Sequence, residues 1–173
     1  MSYESPNYEL LMKKKNFEVR RYFPFQIVQY DNPEDPESNQ GFRTLFQYIG
    51  SKNRENQKIP MTTPVLKRKE GDRNRMAFVV PRDIKDPPMP LNSNLEISTV
   101  PGGVYVVHPY RGSHSNIKFE NHKNILKNLL EERHYRPVGP FISAFYNPPF
   151  IPPFLRHNEV LVEIDYESFE PVY

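Results

Sequence analysis

Hydrophobic and polar positions alternate with period two along several stretches of this chain. A long polar loop and two helical stripes interrupt the alternation. Phe17, Val19 and Arg21 alternate with Glu18, Arg20 and Tyr22, the pattern of a β-strand. Tyr8 to Met12 precedes it as a short strand, across a solvated hairpin turn at Lys13–Lys14–Lys15. Pro24 breaks the run, and Phe25 to Tyr30 reads as a further strand. DNPEDPESNQG, Asp31 to Gly41, is a polar loop. Phe42, Leu45, Phe46 and Ile49 then fall at i, i+3, i+4 and i+7, one apolar stripe of a short helix. Ser38 or Asn39 is placed to cap that helix, and Gly50 stops it. IPMTTPVLKR and MAFVVPRD follow as two strands joined by the turn Glu70–Gly71–Asp72.

The same order then recurs. Leu95 to Val100 and Val104 to Tyr110 form a hairpin about Pro101–Gly102–Gly103. Ser115 is placed to cap a second helix, whose apolar positions are Phe119, Ile125, Leu126, Leu129 and Leu130. Arg133 and His134 suit the negative end of its dipole, and Pro137 prevents continuation. Phe141 to Tyr146 and Glu159 to Ile164 are the last strands, separated by the proline-rich loop NPPFIPPFLRHN. Each half therefore reads strand, strand, helix, strand, strand. The fold class expected is α+β, a pseudo-twofold repeat of two ββαββ-like units within a single domain over residues 1–173. The internal halves are about 8–85 and 95–165. A junction between such units is a common place for a ligand cleft.

Composition supports sheet over helix. There are 19 prolines, aromatic residues make up 13%, and alanine occurs only at Ala77 and Ala144. No apolar run is long enough for a membrane span, and MSYESPNYEL lacks the features of a signal peptide, so the expected location is cytoplasmic. Cysteine is absent, which excludes disulfides, thiolate metal sites and a cysteine nucleophile. A net charge of +2 gives no basis for a nucleic-acid partner.

The chain carries no G-x-S-x-G, H-E-x-x-H, Walker or G-x-G-x-x-G motif, so no catalytic residue is assigned. The five histidines, His108, His114, His122, His134 and His157, show no convincing ligand spacing; His108 and His157 are the weak candidates for a metal ligand. Glu159 follows Asn158 and is expected to cap locally or pair with Arg156. Two groups of aromatics remain. Phe42 and Phe46 lie on the short first helix, and Phe150, Ile151 and Phe154 lie in the proline-rich loop, where large apolar side chains need something to bury them. Such a loop suits a rim for a flat apolar ligand, held rigid by its prolines.

Three segments carry a family resemblance. FEVRRY at Phe17–Tyr22, GFRTLFQYIGSKNRENQKIPMTTPV at Gly41–Val65 and YNPPF…RHNEVLVEI between Tyr146 and Ile164 resemble, in order, motifs of the SOUL or heme-binding protein family. The resemblance spans residues 8 to 164. It implies a distorted antiparallel β-barrel flanked by two helices, and a usually monomeric protein that holds heme or another tetrapyrrole non-covalently as carrier, buffer or sensor. It also implies that the porphyrin lies on Phe42 and Phe46, with Asn39 one turn earlier and Gln47 beside them, and that Ile151 of the C-terminal loop approaches the same ligand. Some members carry a histidine in the first motif, where this chain has Arg21. Others carry basic residues where it has Asn39, Gln47 and Ile151; Arg43 and Lys52 are the nearby cations. The alternative readings are a general binding or sensing module for hydrophobic small molecules, and an enzyme acting on such ligands.

Overall fold

In a computed structural model of the chain, which describes residues 3–113, 115–148 and 150–169, the chain folds into two compact units. One comprises the residues up to Pro6 with Pro24–Pro101, and the other comprises Asn7–Phe23 with the residues from Gly102 onward. These units differ from the halves expected at 8–85 and 95–165. The first hairpin belongs with the C-terminal segment, and the strand at Leu95–Val100 belongs with the N-terminal one. The cause is strand pairing, which is long-range at both places. Both units are antiparallel sheet with a helix packed on one face, so the α+β class holds.

In the first unit, β3 (Phe25–Tyr30), β4 (Val65–Glu70), β5 (Arg73–Val79) and β6 (Leu95–Val100) pair in the order β4-β5-β3-β6. Helix α1 (Gly41–Ile49) lays Leu45, Tyr48 and Ile49 against Val28, Tyr30, Phe78 and Leu95. The Tyr48 hydroxyl donates to Pro88 O at 2.6 Å, which satisfies a polar atom that this face buries. The strand expected from Ile59 begins only at Val65. Pro60 and Pro64 have no N–H to give a ladder, and Thr62 instead anchors the segment by donating to Val79 O at 2.5 Å. The expected caps of α1 are also not used. Ser38 is buried at positive φ and donates to Asn74 O, while the Asp35 carboxylate accepts from the amides of Asn39 and Gln40.

In the second unit the order is β1-β2-β7-β9-β8, formed by Tyr8–Lys13, Glu18–Tyr22, Gly103–Arg111, His157–Ile164 and Ile142–Phe145 respectively. Helix α2 (Asn116–Arg133) places Leu126 and Leu130 on a core of Phe17, Val19, Val106, Val160 and Val162. Ser115 caps it as expected, accepting from Lys118 N at 3.2 Å, and His134 ends it in the left-handed region. Two short elements complete the unit, a 3-10 turn at Pro153–Leu155 and a single-turn helix α3 at Tyr166–Phe169, neither of which the hydrophobic pattern predicts.

Candidate functional site

Helix α1 buries only one side of its apolar stripe. Gly41, Leu45, Tyr48 and Ile49 take the sheet-facing side, and the stripe predicted through Phe42 and Phe46 is split. Phe42 is left 43% exposed and Phe46 55%. Their rings lie nearly parallel, 6.1 Å apart at 16°, and Phe42 rests edge-on against Phe78 at 5.3 Å. One ring is thus braced by the core and the pair presents an apolar surface outward. Asn39 and Arg43 are exposed beside it, and Gln47 is half-buried.

The proline-rich loop belongs to the second unit. Arg156 fastens it by donating from Nε to Ile151 O at 2.8 Å, and Arg111 donates to Leu155 O at 3.2 Å. Ile151 is half-buried, while Phe150 and Phe154 stand 82% and 72% exposed. The loop holds these two rings outward through its own backbone turns, in which Ile151 N donates to Pro148 O and Leu155 N to Pro152 O.

A third constellation was not read from the sequence. On the sheet face turned away from α2, the guanidinium of Arg20 spends all five N–H groups. Nε and Nη2 donate to Glu18, Nη1 donates to Tyr22 Oη at 2.8 Å, and Nη1 and Nη2 grip the two oxygens of Glu159 at 3.0 and 2.8 Å. Glu159 also accepts from Tyr146 Oη at 2.9 Å and from His157 Nε2 at 3.1 Å. The local pairing of Glu159 with Arg156 is therefore replaced by a long-range one with Arg20. Burial pushes the Glu159 carboxyl up, but the hydrogen bonds from His157, Arg20 and Tyr146 outweigh it and take it down to about 2. Tyr22 is pushed by burial up to about 12, against the lowering pull of Arg20. The Tyr8 ring covers the guanidinium at 4.4 Å. The sequence signal for this cluster was the row Glu18–Arg20–Tyr22 on one strand face, which alone reads as a solvated face.

The two histidines singled out as weak metal candidates are both engaged. His108 is buried, with Nδ1 2.7 Å from Asn16 O and Nε2 2.9 Å from His122 Nδ1. A carbonyl only accepts, so His108 carries its proton on Nδ1 and, when neutral, accepts at Nε2 from His122. Tyr110 stacks on His122 at 4.1 Å. His157 gives its Nε2 proton to Glu159. His114 lies outside the described residues, and among the described residues no three histidine or acidic side chains cluster as a metal site.

Other solved structures are similar to this chain in fold. The C-terminal domain of EcmrR is similar at a TM-score of 0.61 and 10% identity, over 91% of this chain and 98% of that one. A hydrolase from Listeria innocua is similar at 0.61 and 10%, over 90% and 94%. EcmrR in its complex with DNA gives 0.65 at 9% identity over 86% of this chain, which spans 57% of that chain's length. At these identities the likeness is one of fold alone. Comparison with curated proteins gave no match. The sequence is more specific. The family model of the SOUL heme-binding protein matches residues 3–163, and the chain belongs to that family. Among the described residues no helix is long and apolar enough to cross a membrane.

Proposed function

We propose that the protein binds heme or a related tetrapyrrole on the exposed face of α1, as a monomeric cytoplasmic carrier, buffer or sensor that performs no catalysis. The observation that carries this reading is the nearly parallel Phe42–Phe46 pair, half in solvent and braced by Phe78. Family membership supports it. The residues present fit a porphyrin ring better than its metal. The rings offer a flat apolar surface and Arg43 offers a cation for a propionate, but α1 contains no histidine. Heme bound here would supply its redox and ligand chemistry. The chain's own residues would stack it and hold one carboxylate. Burying roughly 300 Å² of apolar area yields about 7 kcal/mol before association costs, less than the ~8 kcal/mol net that micromolar binding requires, so stacking must be joined by the pairing of a propionate with Arg43 or by a larger buried area.

The test is a Soret titration with hemin beside iron-free protoporphyrin IX. Both are expected to saturate one site with similar affinity, and the double variant Phe42→Ala/Phe46→Ala is expected to weaken both about tenfold or more. Unchanged affinity in that variant removes the site assignment. A second reading, a module for hydrophobic small molecules in general, is favoured by the uncharged Asn39 and Gln47 beside the phenylalanines. It predicts that N-phenyl-1-naphthylamine binds as well as protoporphyrin does and competes with it.

A further inference from the structure

The second unit contains an open groove of about 580 Å³ that shares no residue with the α1 face. Arg21 and Tyr22 at the end of β2, the Gly102–Gly103 turn, Val138, Glu163 and Tyr166 line it. Its charges are unevenly satisfied. Arg21 lies 3.4 Å from Glu9, and Asp165 is paired with Arg136. Glu163 is half-buried and, among the described residues, its carboxylate has neither an ion pair nor a hydrogen bond. A burial of this kind without a counter-charge lifts its pKa above the ordinary carboxylate value.

The backbone makes room for that carboxylate. A Cβ on Gly103 would stand 2.7 Å from Glu163 Oε2 and 3.1 Å from its Cδ, so the missing side chain lets the acid lie along the groove floor. Apolar surface in the groove comes from exposed Val138 and the half-open ring of Tyr166, while Val104 and Ile164 are buried in the core beneath it. The rim already receives one planar cation: the Arg21 guanidinium sits over the Tyr166 ring at 5.4 Å. With Arg21 and Asp165 each matched by an opposite charge, the net charge left in the groove is that of Glu163.

We propose that this groove is a binding site for a small organic cation, an amidinium, guanidinium or ammonium group on a compact apolar body, with Glu163 as its counter-ion. The apolar walls take the body and the half-buried carboxylate takes the charge, where it is screened less than at the open surface.

The probe is benzamidine, with benzamide as its neutral isostere, titrated into the 15N-labelled full chain. Benzamidine is expected to shift the amides of Gly102–Val104, Val138 and residues 163–166, and benzamide to bind about tenfold more weakly. Glu163→Gln is expected to erase that preference, and Gly103→Ala, which displaces the carboxylate, to weaken benzamidine alone. Affinity for benzamidine should fall with Glu163 protonation at acid pH, while that for benzamide stays level. Equal binding of the two probes, an unchanged preference in Glu163→Gln, or shifts located elsewhere would overturn the proposal. Phe42→Ala/Phe46→Ala is expected to leave benzamidine binding intact, so the two sites can fail separately.

Discussion

Glu159 has 1% of its surface exposed and yet carries a full charge, because four donors converge on it. Breaking such a pair from one side is costlier than removing both partners, since the survivor stays buried and charged. Glu159→Leu is expected to cost about 3–5 kcal/mol, and the double variant Arg20→Met/Glu159→Leu distinctly less than the two single costs combined, measured by urea unfolding. The pH dependence has a definite sign. The folded carboxyl titrates at about 2, below its unfolded value, so its contribution is complete above that unfolded value and drains away as pH falls toward about 2. Stability curves in Glu159→Gln should lose this acid limb. The sequence displayed the row Glu18–Arg20–Tyr22 at strand spacing, but alternation says only that these residues share a face. That the face is buried depends on strands brought in from the far end of the chain, which no local pattern records.

Helices were legible where a local rule governs them. Ser115 caps α2 because its hydroxyl needs only the amide three residues on, and Ser115→Ala is expected to cost about 1 kcal/mol in thermal or chemical unfolding. The α1 stripe misled in part, because Phe42 and Phe46 have the spacing of a buried face while the sheet accepts Leu45, Tyr48 and Ile49. An exposed phenylalanine pair is what a binding surface leaves and what periodicity alone cannot distinguish from core. Helix α2 also holds a link invisible in the sequence, the hydrogen bond from His122 to His108 of β7. Burial, then His108 and Lys118, lower the His122 pKa, and Tyr110 covers its ring. Because the folded value lies below the unfolded one, this linkage stabilises the fold above the ordinary imidazole range, ~6.5, and is lost as pH falls below it. Protection of the amides in the first half of α2, taken relative to their intrinsic exchange rates, is expected to fall between about pH 7 and pH 5. His122→Phe, which keeps a ring against Tyr110 without the proton, should flatten that response.

Across the whole chain, the expected α+β class holds, and so does the presence of a helix on each sheet. The partition into sequential halves was not legible, because strand order is settled by pairing between segments far apart in sequence. Residues 7–23 supply β1, β2 and the core residues Phe17 and Val19 to a unit otherwise made from Gly102 onward. A fragment beginning at Gly102 is therefore expected to give the collapsed amide dispersion of an unfolded chain, and a peptide of residues 7–23 added in trans to restore dispersed signals. Dispersed signals without the peptide would show that the hairpin is dispensable to the unit.

That borrowing also orders events in time. During synthesis the β1–β2 hairpin leaves the ribosome first, yet the strand that covers the free side of β2 is β7, translated only after the four strands and the helix of the other unit are complete. An isolated two-stranded hairpin is marginal in water. This hairpin must wait, its strand edge unpaired, while a later-made unit closes ahead of it. Nascent chains arrested so that Pro101 has just cleared the ribosomal exit tunnel should accordingly be cut by protease within residues 7–23 while Pro24–Pro101 resists.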